Sequence, residues 1–138
     1  TSDAAGMTAE TLTDYEEGTF APVFSNIGNG TYAYQLGRYT KIGNMVHCSV
    51  HLDINALGTA SGNVIVATLP FTSANNANEY ASASSIYGGS WSVPRDNLTG
   101  LVITDTTTMN LYYDSGVQVQ HSDLGTANVL FNISYTTA

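Results

Sequence analysis

The sequence predicts an all-β chain folded as an antiparallel, jelly-roll-like sandwich. Three observations predict it. Apolar and polar residues alternate with period two from Val46 to Ile54 and again from Ala127 to Tyr135, the pattern of strands with one buried face. Turn-formers break the chain at short intervals, most clearly at Gly43-Asn44 and Asp114-Ser115-Gly116. No segment after residue 18 carries an apolar stripe at helical spacing. A chain of 138 residues fits one domain and needs no covalent staples to build a core.

The elements follow in order. Residues 1–18 hold Asp3, Glu10, Asp14, Glu16 and Glu17 with almost no large apolar side chain, so they read as an extended or briefly helical lead-in. The sandwich domain is expected over residues 19–138. Its first strands are Tyr32–Gln35 and Arg38–Ile42, the second joined through Gly43-Asn44 to Met45–Ile54. In that last segment Val46, Cys48, Val50, Leu52 and Ile54 face one way; Met45, His47, Ser49, His51 and Asp53 face the other. Further strands are expected at Asn63–Leu69, Tyr80–Tyr87, Leu98–Thr104, Met109–Asp114 and Gly116–Gln120. The stretch from Thr72, rich in Ser, Ala and Asn, reads as a loop. In the closing strand Ala127, Val129, Phe131, Ile133 and Tyr135 form the apolar side.

Charged residues are 10% of the chain, against about a quarter in an ordinary globular protein. The surface is therefore covered by Thr, Ser, Asn, Gly and Tyr, as in secreted or virion-surface β proteins. Three Lys and Arg stand against 11 Asp and Glu, for a net charge of −8. Arg38, Lys41 and Arg95 are too few to displace counterions from a phosphate backbone or to hold an anionic bilayer surface, so neither nucleic acid nor membrane is an expected partner. Cys48 is the single cysteine, which rules out an intrachain disulfide. No apolar run is long enough for a membrane-spanning helix, and no signal-peptide pattern is present. Without an initiator Met, the chain is expected to begin inside a longer product or to have been trimmed from one.

Leu12-Thr13-Asp14-Tyr15-Glu16-Glu17-Gly18-Thr19-Phe20-Ala21-Pro22 resembles the "DYEEGTWTP" opening of a C-terminal domain of phage tail fibres and tail spikes. Gly37-Arg38-Tyr39-Thr40-Lys41-Ile42-Gly43-Asn44 matches its "GRYTKIGN" hairpin, and Leu69-Pro70-Phe71-Thr72-Ser73 its "LPFTS" segment. Phe131-Asn132-Ile133-Ser134-Tyr135-Thr136 is similar to its closing "FSGSYLT" strand. The four matches stand in the family's order across residues 12–136. The resemblance implies a β-sandwich that trimerises at a fibre tip and either binds host-surface glycan or helps the fibre fold in register. The stretch between Tyr87 and Gly125 lies outside the motifs, and ligand specificity is expected there.

Catalysis is not expected. Gly58-Thr59-Ala60-Ser61-Gly62 misses the nucleophile-elbow pattern by one position. The densest acidic group, Asp14, Glu16 and Glu17, lies in the lead-in rather than in a cleft-forming segment. No cofactor is expected. His47 and His51 share a strand face, but four residues of strand span about 13 Å, so one chain cannot close a metal site with the pair. Copies gathered on a trimer axis are the remaining route. His121 with Asp123 reads as a loop pair. Aromatics are the stronger lead, since sugar rings pack their C–H faces on flat side chains and present hydroxyls to polar groups. Trp91 and Tyr87 are candidate glycan platforms, as is Tyr112, which alternation turns outward while Tyr113 joins Met109 and Leu111 inside. Asn110, Asp114 and Arg95 are candidate polar partners. Trp91 has a competing reading as a core plug or interface contact. Cys48, on the apolar face of its strand, reads as a structural thiol.

The expectation is a non-enzymatic homotrimer at the tip of a virion tail fibre, attaching to a host-surface saccharide. The alternatives are a trimerisation cap without a ligand, and a capsid-decorating or stand-alone carbohydrate-binding module.

Overall fold

The computed structural model describes residues 14–83, 86–91 and 97–138. The chain folds into two five-stranded antiparallel sheets packed as a β-sandwich. The first sheet holds β1 (Tyr15–Phe20), β3 (Thr31–Ile42), β4 (Met45–Ala56), β10 (Asn128–Thr136) and β7 (Tyr87–Gly89), side by side in that order. In the second the order is β2 (Val23–Phe24), β5 (Ile65–Ala67), β9 (Met109–Tyr113), β8 (Leu98–Val102) and β6 (Ala81–Ala83).

The β3–β4 hairpin is the backbone of the first sheet. Ile42 pairs with Met45, and between them Gly43 takes φ +58°, a value that costs an L-residue free energy and glycine none. The register then holds from Ile42↔Met45 to Tyr34↔Asp53, where a bulge beside Ala33 shifts it. β10 lies antiparallel along the other edge of β4, from Thr136↔Met45 to Asn128↔Asp53.

The core forms where the two inner faces meet. Val46, Cys48, Val50, Leu52 and Ile54 are each at most 3% exposed, as are Val129, Phe131, Ile133 and Tyr135 on β10. The second sheet answers with Val66, Val102, Met109 and Leu111. The Tyr135 hydroxyl donates to the Phe71 carbonyl at 2.9 Å, so the one polar atom of that core side chain keeps a partner. Tyr39 packs edge-on against the Phe71 ring at 5.2 Å.

Several expectations need correction. Tyr32–Gln35 and Arg38–Ile42 are one strand, because Gly37 is spanned by pairing to Val50 and covered by the Phe20 ring. Tyr80–Tyr87 is not one strand: β6 belongs to the second sheet and β7 to the first. Period two reports alternation, not sheet membership, so it cannot register this crossing. Gly116–Gln120 forms only the bridges Tyr112↔Gln118 and Asn63↔Gln120. His121–Leu124 is a single helical turn, α1, held by the Asp123 carboxylate accepting from the Gln120 N–H at 2.9 Å. One turn is too short to leave a stripe in the sequence. At the other end, β1 extends the first sheet back to Tyr15, across the residue-18 boundary.

Candidate functional site

Alternation that buries one side of each strand leaves the other as a surface. Two such faces and one edge cleft carry the chemistry.

On the outer face of the second sheet, Asn110 and Tyr112 project from β9 while Met109 and Leu111 are buried. The Asp114-Ser115-Gly116 turn closes with Gly116 at φ +79°, and the Tyr113 N–H donates to the Val117 carbonyl. It brings Gln118 back beside β9. Gln118 Nε2 donates to Asn110 Oδ1 at 3.3 Å, and Asn63 Nδ2 donates to Gln118 Oε1 at 2.6 Å. Gln120 Nε2 donates to Asn63 Oδ1 at 2.5 Å. Four amide side chains thus hold one another in place next to Tyr112. Each amide has more donor and acceptor capacity than these bonds use, so the cluster is a preorganised, uncharged hydrogen-bonding surface.

The outer face of the first sheet is different. Ladder pairing sets Leu36 beside His51 on β4, then Leu130 and Tyr87, in one row across the sheet. Tyr34 stands next to this row, its ring 4.8 Å from that of His51. Tyr34 and Tyr87 are 48% and 60% exposed. This is an apolar, aromatic patch on a face that no described element of the chain covers. His47 lies four residues along β4, and its Nδ1 is 2.9 Å from Ser134 Oγ.

The third feature is a cleft of about 160 Å³ where the Met45–Thr136 end of the first sheet meets the approach to β6; Glu79, Tyr80, Ala81 and Ser134 are among its walls. Thr136 Oγ1 donates to Glu79 Oε1 and Asn76 Nδ2 to Glu79 Oε2, both at 2.5 Å. These two bonds hold the carboxyl below the usual glutamate range.

The candidates read from the sequence are therefore dispersed. Asn110 and Tyr112 share a site, and Asp114 is exposed on the adjoining turn. Tyr87 is on the opposite sheet. Trp91 is half-buried against the core, its indole lying over Gly88; the Nε1 is buried without a hydrogen-bond partner among the described residues. That position fits the core-plug reading. Arg95 lies outside the described residues. His47 and His51 are on the outer face of the first sheet, and no group of three metal-ligating side chains occurs among the described residues. His121 is 1% exposed and packs edge-on to Phe24, with Nε2 2.7 Å from the Ser25 carbonyl; the loop-pair expectation is corrected, because α1 turns the imidazole inward. Cys48 is buried, and burial pushes its thiol up to about 12, unfit for a nucleophile at neutral pH. The amides Asn63, Gln118 and Gln120 escaped sequence reasoning, because the contacts joining them span up to 57 residues. Glu79 escaped it as part of a polar loop, and Tyr80 as the first residue of an expected strand.

The fold and its surfaces define a charge-poor β-sandwich with an amide face and an aromatic face. No family model matches the chain. No curated protein and no solved structure matches it either.

Proposed function

We propose that this chain is the distal domain of a phage tail fibre or spike, a homotrimer of jelly-roll-like sandwiches that attaches the virion to a host-surface saccharide and has no enzymatic role. The amide network of Asn63, Asn110, Gln118 and Gln120 beside Tyr112 carries the reading. Uncharged donors and acceptors next to an aromatic side chain are the groups that sort sugar hydroxyls. The placement of the family-like motifs supports a division of labour. The first, second and fourth fall on β1, β3 and β10, all in the first sheet. The Tyr87–Gly125 stretch outside the motifs builds β8, β9 and the Gln118–Gln120 segment on the second, besides the short edge strand β7 of the first.

The test is saturable binding of the full chain on a glycan array. Asn110→Ala combined with Gln118→Ala is expected to lower the signal at least tenfold with the fold intact by circular dichroism. Absence of binding to any glycan or host cell would sink the reading.

The alternative, a trimerisation cap without a ligand, draws on the Tyr34–Leu36–His51–Leu130–Tyr87 patch. It requires deletion of the domain to leave the fibre monomeric or aggregated while host binding persists elsewhere. A capsid-decorating or carbohydrate-binding module is separated from both by the neighbouring sequence, since a fibre continues into repeated β or coiled-coil segments.

A further inference from the structure

The edge cleft opens beside the Met45–Thr136 end of the first sheet's outer face, apart from both the amide cluster and the aromatic row, and its chemistry is specific. Its volume of about 160 Å³ is on the scale of an enclosed cavity of roughly 150 Å³ that takes benzene, and because the cleft is open on one side a ring's substituents can stand in solvent. Tyr80, 57% exposed, gives it an aromatic wall, and Met45, Ala81 and Val102 give it apolar surface. The Glu79 carboxylate stands at its rim with about four acceptor positions. Thr136 and Asn76 occupy two of them and fix the group's orientation. Two remain for ligand donors. Ser134 lines the β10 side, its hydroxyl bonded to His47 Nδ1 at 2.9 Å. Among the described residues that line the cleft, none is basic.

From these features we infer that the cleft binds one neutral pyranose ring, with Glu79 accepting two neighbouring hydroxyls and Tyr80 packing on the C–H face. An acidic sugar is disfavoured, because its carboxylate meets Glu79 with no basic side chain among the described lining residues to offset the repulsion. A quaternary ammonium group is disfavoured too: one tyrosine is a single wall, whereas such ligands are held in cages of several aromatic rings. The inference rests on the saccharide reading and goes beyond it by placing a terminal sugar at a second position, beyond the amide face. The Met45–Thr136 end is about 20 Å along β4 from the Leu36–His51 row, counting six residues of strand, so the cleft stays open if that row is an assembly face.

The test is a two-dimensional NMR titration of the full chain with the methyl glycosides of glucose, galactose, mannose and N-acetylglucosamine, with glucuronate, and with tetramethylammonium. At least one neutral glycoside is expected to shift the amides of Tyr80, Ala81 and Ser134 saturably, with little shift from the other two probes. Glu79→Gln and Tyr80→Ala are each expected to weaken that binding about tenfold. Both side chains are exposed, and unchanged spectra elsewhere would show that the variants remain folded. Glucuronate binding as tightly as the neutral sugars, tetramethylammonium as the sole ligand, or neutral binding that survives both variants overturns the inference. If the glycan array is positive while this cleft stays silent, the cleft assignment fails and the attachment reading stands. If array and titration are both negative, both fail.

Discussion

Cys48 and Glu79 show how burial and exposure in one small sandwich give two titratable groups opposite chemistry. The Cys48 thiol faces the core, 0% exposed, and burial raises its pKa to about 12. Thiolate is the reactive form, so at pH 8 the native chain is expected to resist thiol-labelling reagents and to react once unfolded by denaturant. Rapid labelling of the native chain at that pH would contradict the burial. Glu79 is exposed, and hydrogen bonds from Thr136 and Asn76 depress its pKa below the ordinary glutamate value. A group with a depressed folded pKa stabilises the native state above its unfolded pKa, and that contribution disappears as pH falls through the folded value. The parent is therefore expected to melt above Glu79→Gln at pH 7, with the difference closing well below about pH 4.3. A difference independent of pH would assign the effect to packing rather than charge.

At the scale of elements, the β3–β4 hairpin depends on one residue. Gly43 sits at φ +58°, and a Cβ added there would meet nothing within 4 Å, so a substitution causes no clash and reports backbone strain alone. Gly43→Val is expected to destabilise the chain by about 1–2 kcal/mol, read as a lower denaturation midpoint with an unchanged denaturant slope. Gly43→Asn should cost less, because asparagine tolerates the left-handed region. The hairpin was legible because Gly-Asn between two alternating runs is a local signal. The split of Tyr80–Tyr87 between β6 and β7 was not, since both halves alternate and the chain changes sheets between them. α1 was missed for a related reason: His121, Ser122, Asp123 and Leu124 fill one turn, too little for a detectable stripe.

At the scale of the molecule, the two sheets differ outward more than inward. One outer face carries amides and Tyr112; the other carries Tyr34, Leu36, His51, Leu130 and Tyr87 side by side across adjacent strands. Exposed apolar surface of this kind is a common mark of association. The proposed homotrimer is expected to use it, so Tyr34→Glu with Tyr87→Glu should shift the chain from trimer to monomer in light scattering coupled to size exclusion. Both side chains are exposed, and the monomer should stay folded. A chain that is monomeric before substitution, or a trimer indifferent to both changes, would remove the patch from the assembly.

The sequence by itself determined the β class, the inward set on β4 and β10, the tight turn at Gly43 and the burial of Cys48. Each depends on neighbours within a few residues, where alternation and turn chemistry act. Only the tertiary structure decided which strands share a sheet, that His121 turns inward to the Ser25 carbonyl, and that Trp91 lies over Gly88. It alone gathered Asn63 with Gln118 and Gln120, and Glu79 with Thr136. Those groups meet through pairing between distant segments, and no local pattern encodes which distant partner a polar side chain will find.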